Sequence, residues 1–138
     1  MASSALKQVI MDWYENLAKP EWTPSGSTIS LIWQILYPII LVSFGFVFVQ
    51  VFRKSLAWKT TIPFVINLIA NVAFTPIMFG LQNLKLAACD ILIVWTTILW
   101  IMIVIWKHYR WIAIVQIPYF IWVSIATYLQ LSITLMNW

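Results

Sequence analysis

From Thr28 to Leu135 the chain is almost continuously apolar, and lysine and arginine interrupt it at only three places. The interruptions are Arg53 to Lys59, Lys85, and Lys107 to Arg110. Between them lie four stretches, 29–52, 62–81, 86–106 and 111–135, whose only charged residue is Asp90. A bilayer crossing takes roughly 20 apolar residues at about 1.5 Å of rise each. Each stretch is long enough, and each is helical, because a lone strand would leave backbone groups unpaired in lipid. The short connections make neighbouring spans antiparallel. The fold class is therefore all-α: a polytopic transmembrane helix bundle of four spans, in a single domain over 1–138.

The first 28 residues read differently. Leu6, Val9, Ile10, Trp13, Tyr14 and Leu17 recur at helical spacing, with Lys7, Asp12, Glu15 and Lys19 on the other faces. This predicts an amphipathic helix over 4–18 lying on the membrane, capped by Ser3 or Ser4 and ended by Lys19-Pro20. An irregular loop over 21–28 follows, with Pro24, Ser25 and Gly26 marking a turn.

Composition agrees with a lipid solvent. Of 138 residues, 63% are hydrophobic and 9% charged, against about 25% charged in soluble domains; mean hydropathy is +0.92. Eight basic residues face four acidic ones. They are scattered, not striped, which argues against nucleic acid as a partner. Arg53, Lys54, Lys59, Lys107 and Arg110 fall on one side of the membrane, and Lys7, Lys19 and Lys85 on the other. In a bacterial cell membrane the first group is cytoplasmic and both termini are outside. The lone Cys89 forms no intrachain disulfide.

Polar residues within spans normally face the protein interior or a cavity. Asn67 and Asn71 share a helix face, continued by Phe74 and Met78. Trp33, Tyr37, Ile40 and Phe44 form a stripe on the first span, and Tyr119, Trp122, Ala126 and Leu129 one on the last. Three such stripes can enclose a flat, mostly apolar ligand that Asn71 and Tyr37 orient. The same spacing equally suits ordinary helix packing, with the asparagines as hydrogen-bonding glue. Asp90 reads as structural, a carboxylate near a helix N-terminus that can bond a neighbouring helix. His108 lies in a basic loop and reads as interfacial, not as a haem ligand. Trp58, Trp106, Trp111 and Trp138 read as interfacial anchors, and Trp95 and Trp100 as lipid or helix packing. No metal-ligand cluster, nucleophile–base pair or phosphate loop is present, so neither metal nor cofactor is expected.

Trp13-Tyr14, Leu17, Lys19-Pro20, Trp22 and Pro24 resemble the WYxxLxKPxWxPP signature of the tryptophan-rich sensory proteins, the TspO or translocator-protein family, also called peripheral benzodiazepine receptors. Trp33 with Leu36-Tyr37 is similar to that family's WxxLY. Asn71, Phe74, Pro76, Phe79 and Gly80 resemble NWxWxPxFFG, and Asp90 its aspartate. Pro118-Tyr119, Trp122, Ala126-Thr127 and Leu129 resemble PYLxWxxFATxLN. The chain departs from the pattern with Ser25 in place of the second proline, Val72 and Phe74 where tryptophans are common, and Gln130 where asparagine is. The tail after Tyr128 lacks the basic residue of a sterol pattern.

The resemblance implies a bacterial cell-membrane or mitochondrial outer-membrane protein that binds porphyrins such as protoporphyrin IX, sterols and benzodiazepine-like ligands. By matching position, Trp33, Asn71, Phe74, Trp122 and Ala126 would line its pocket, and Tyr14, Trp22 and Pro24 would lie in the lid loop. Three functions follow: a tetrapyrrole receptor, a light-dependent porphyrin-degrading enzyme with Trp33 and Trp122 as electron donors, and a transporter of porphyrins or sterols. The sequence shows neither internal repeats nor the broken helices of secondary transporters, and binding is the expected function. The family has five spans, the first before Trp13, where this sequence has twelve residues. A first helix is expected to be absent, supplied by a partner, or lost in a shortened form. Dimerisation would cover small-residue surfaces such as those of Ser43, Gly45 and Ala70.

Overall fold

The computed structural model describes residues 16–54 and 56–137. Its α-helices are α1 (Gly26–Phe52), α2 (Thr61–Thr75), α3 (Leu84–Trp106), α4 (Arg110–Val115) and α5 (Ile117–Met136). A 3-10 turn, Trp58–Thr60, leads into α2, and a π turn, Pro76–Gly80, extends it. Four helical lengths can cross a membrane: Ser27–Phe52, Trp58–Met78, Leu84–Trp106 and Arg110–Met136. The shortest has 21 residues, about 32 Å of helix against a hydrocarbon core of about 30 Å. Most of the amphipathic helix expected over 4–18, with Trp13 and Tyr14, and the Trp138 anchor lie outside the described residues.

Local chemistry sets the helix ends. The Ser25 hydroxyl caps α1 by accepting from Thr28 N at 3.2 Å. Asn83 does the same for α3, accepting from Leu86 N at 3.0 Å. Lys54 and Gln82 take positive φ (64° and 53°) just after the first span and the π turn, which turns the chain. Pro76 has no N–H to bond back to Val72, and the backbone answers with a wider turn in which Leu81 N reaches Pro76 O at 2.9 Å. Pro118 likewise cannot bond Ile114, and Gln116 N bonds Ala113 O at 3.2 Å in a tight turn. The last span, expected as one unbroken helix over 111–135, is thus two helices meeting at Gln116.

The distribution of side chains is that of a protein in an apolar solvent. Asn67 and Gln116 are 0% exposed, whereas Leu41 and Val72 are 73% and 72% exposed. Among the described residues α3 is central, packing on α2, α4 and α5. Its buried Ile91, Val94, Ile98, Ile101 and Ile105 alternate spacings of three and four, the seam of a left-handed helix pair. The chain is an integral membrane protein with an all-helical bundle fold.

α1 touches α2 and α4. Aromatic edges pin its second half: Phe44 and Phe48 against Phe64, with centroids 4.9 and 6.3 Å apart, and Phe46 against Tyr109 and Trp111, both at 5.0 Å. Ser43 and Ala70 are buried within this chain, so the dimer surface expected at those two residues is not available. Ser43 Oγ instead accepts from Gln116 Nε2 at 2.8 Å.

Arg53, Lys54, Lys59, Lys107 and Arg110 cluster at one end of this antiparallel bundle, and Lys19 and Lys85 at the other. A tag placed after Asn137 is expected on the non-cytoplasmic face of a bacterial membrane. A tag that only permeabilised cells expose would contradict this orientation.

Candidate functional site

Because α1 is held by its second half, its first half stands beside a gap. A cavity of about 340 Å³ fills that gap, in the half of the bundle remote from the basic loops. Ile29, Ser30, Trp33 and Tyr37 line it from α1. Asn71, Phe74, Thr75 and Met78 do so from α2 and its π turn, and Ile91 and Val94 from α3. α5 contributes Trp122, Ala126, Leu129, Gln130 and Ile133. No charged side chain is among these residues. The volume lies at the lower end of the range for small-molecule sites, roughly 300–1,000 Å³. Ala126, a small side chain one turn after Trp122, helps leave the space open.

The wall's aromatic groups are positioned by one another. Trp33 stacks on Tyr37, centroids 5.2 Å apart, and meets Tyr119 edge-on at 6.3 Å. Tyr37 is 48% exposed and marks a side where the cavity approaches the surface. Trp122 is 7% exposed, and its Nε1 has no hydrogen-bond partner among the described residues.

A buried polar chain supports the wall. Asn67 on α2 donates from Nδ2 to Val94 O at 3.2 Å and to Thr97 Oγ1 at 3.0 Å, both on α3. The Tyr119 hydroxyl on α5 donates to Asn67 Oδ1 at 3.0 Å and accepts from Asn71 Nδ2 at 2.6 Å. Three helices are thereby fixed to each other behind the cavity. Asn67 is glue, and Asn71 is both glue and wall.

The structure brings Trp33, Tyr37, Asn71, Phe74, Trp122 and Ala126 to one cavity. Tyr119, expected among the lining residues, is wholly buried and stands behind Asn71. Trp22 and Pro24 do not line the cavity. Trp22 stacks on Tyr128 of α5 with centroids 5.7 Å apart. The chain just before this loop is clasped by Asn137, whose amide accepts from Ala18 N at 3.0 Å and donates to Ala18 O at 2.8 Å. Tyr14 lies outside the described residues. Asp90 is buried, and its Oδ2 has no hydrogen-bond partner among the described residues. His108 is exposed. Trp95 packs between helices, bonding Ser124 Oγ at 2.9 Å, and Trp100 is exposed on the apolar surface.

Sequence reasoning missed the α3 wall, Ile91 and Val94, because an all-apolar helix gives no sign of which face meets a cavity. It also missed Gln130, noted only as a departure from a motif. Its place one turn beyond Ala126 on the same face was the available signal.

Tyr119→Phe removes the joint of the polar chain and leaves Asn67 Oδ1 and Asn71 Nδ2 without partners. It is expected to lower stability in detergent by about 1 kcal/mol, read as an earlier unfolding midpoint. An unchanged midpoint would show that the chain contributes nothing to the bundle.

Comparison with known proteins bears on the same residues. The chain matches the TspO/MBR family over residues 1–136. It is 36% identical over 138 residues to an uncharacterized membrane protein, YtaB, of Bacillus subtilis, covering 99% of this chain and 87% of that one. It is also 36% identical over 136 residues to the tryptophan-rich protein TspO of Bacillus cereus, covering 98% and 87%. A tryptophan-rich sensory protein of Cereibacter sphaeroides is 27% identical over 85 residues, 61% of this chain and 51% of that one. With the match running through the helices that build the cavity, the chain belongs to the TspO/MBR family of membrane proteins.

Proposed function

We propose that this protein is a receptor in a bacterial cell membrane that binds a flat, largely apolar ring ligand, a tetrapyrrole such as protoporphyrin IX, in the cavity between α1, α2, α3 and α5. The observation that carries the reading is an uncharged cavity with tryptophans on two different helices, Trp33 and Trp122, in its wall. Ring faces suit a large π surface, and the few amides and hydroxyls suit its polar substituents. Among the described residues the wall holds no acid or base to move protons, which favours binding over turnover. The sensory role in the name of the Cereibacter relative is in keeping with a receptor.

Titration of the protein in lipid nanodiscs with protoporphyrin IX tests this. Trp33→Leu and Trp122→Leu should each weaken binding, by roughly 2- to 12-fold from stacking alone. Trp100→Leu, on the lipid-facing surface, should leave it unchanged. Equal effects from all three variants would overturn the assignment of the ligand to this cavity.

A further inference from the structure

The two amide side chains on the cavity wall have a fixed orientation, and it is set from behind the wall. Both α3 partners of the Asn67 amide are acceptors there. Val94 O is a carbonyl, and Thr97 Oγ1 directs its own hydrogen to the Ile93 carbonyl at 2.7 Å. Asn67 must turn Nδ2 toward them and Oδ1 toward Tyr119. A phenol carries one hydrogen. With that hydrogen committed to Asn67, Tyr119 can only accept from Asn71 Nδ2. Asn71 Oδ1 is left at the other end of its amide, without a partner among the described residues, on a residue that lines the cavity.

Gln130 is oriented in the same way by different neighbours. Its Nε2 faces Thr134 Oγ1 at 3.2 Å and Leu84 O at 3.5 Å. The Thr134 hydroxyl directs its hydrogen to the carbonyls of Gln130 at 2.8 Å and Leu84 at 3.2 Å, so it accepts from Gln130. Gln130 Oε1 has no partner among the described residues, on a residue that is 4% exposed and lines the cavity. Hydroxyls on the wall rotate to donate or accept and set no sign. The Trp122 indole N–H, buried without a partner among the described residues, is a donor that an alcohol and an ether satisfy equally.

We propose that Asn71 and Gln130 are fixed hydrogen-bond acceptors, so that the cavity selects ligands presenting N–H or O–H donors to its wall over ligands presenting acceptors alone. The proposal rests on the ring-binding reading above and refines it. A carboxylate on the ligand is repelled from both amide oxygens and belongs elsewhere, while a hydroxyl, an edge N–H or a protonated acid is held.

Two flat probes of nearly equal shape test it: 1-hydroxypyrene, which can donate, and 1-methoxypyrene, which cannot. Each is titrated into the protein in nanodiscs and corrected for partition into empty ones. The hydroxyl compound should bind roughly tenfold tighter, the worth of one hydrogen bond. The Asn71→Leu/Gln130→Leu double variant should abolish the preference. It gives up the Asn71–Tyr119 and Gln130–Leu84 bonds but leaves Tyr119 donating to Asn67 and Thr134 to backbone carbonyls. In a Gln130→Leu background, Asn67→Leu releases the Tyr119 hydrogen and lets the Asn71 amide turn its N–H to the cavity, which an alcohol and an ether satisfy equally, and should erase the preference while methoxypyrene binding is kept. A structural role for Asn67 alone would weaken both probes together. Equal binding of the two probes, a preference that survives the double variant, or hydroxypyrene that does not bind would each overturn the acceptor assignment. Protoporphyrin IX titrated alongside separates that failure from failure of the ring-binding reading, which falls only if the porphyrin is also unbound.

Discussion

In a solvent without hydrogen bonds, every polar group placed inside the bundle must find its partner in the chain itself. That constraint organises this protein. The backbone meets it by being helical throughout the spans. The side chains meet it with a few cross-helix pairs: Asn67 to α3 and Tyr119, Gln116 to Ser43 of α1, and Trp95 to Ser124 of α5. Hydrophobic burial cannot choose between helix registers when lipid is as apolar as the core, so these pairs and side-chain fit do. α2, α3 and α5 form one stitched unit, and α1 joins it through the buried Gln116 amide, a long Tyr109–Gln50 hydrogen bond and a set of aromatic edges.

The cavity follows from that unequal stitching. Support for α1 is concentrated at the end near the basic loops, where Phe44, Phe46 and Phe48 meet partners on other helices. Towards its capped N-terminus it faces the gap instead. Prolines shape the same region. Pro76 forces the π turn that carries Met78 to the cavity, and Pro118 breaks the last span just before Tyr119 and Trp122. The break is itself braced, because Gln116 at the joint donates to Ser43 Oγ and to Ile112 O at 3.2 Å. Three buried polar atoms have no partner among the described residues, Asp90 Oδ2, Gln116 Oε1 and Trp122 Nε1, and of their residues only Trp122 lines the cavity.

Much of this was legible in the sequence because length and hydropathy dictate a membrane span directly. Four helices long and apolar enough to cross a membrane are present, as the apolar runs and basic interruptions predict. The aromatic and asparagine stripes were legible too, since helical spacing places Trp33 with Tyr37 and Asn67 with Asn71. Depth was not legible: spacing assigns a face and cannot say whether a residue on it is the wall or stands behind the wall. Tyr119 and Asn71 lie on equally suggestive stripes, yet only Asn71 reaches the cavity. The joint at Gln116 was missed because Pro118 is compatible with a bent span as well as a broken one. The α3 wall was missed because its inward and outward faces are both aliphatic. Glue and pocket, which looked like alternatives for the asparagines, are combined in Asn71.

A structure of the protein in lipid with protoporphyrin IX bound would test the account most directly. The account requires the macrocycle to lie between α1 and α5 with Trp33 and Trp122 against its faces or edges, and with no carboxylate at Asn71 Oδ1 or Gln130 Oε1. A macrocycle seated on the lipid-facing surface of the bundle, with the cavity empty, would contradict it.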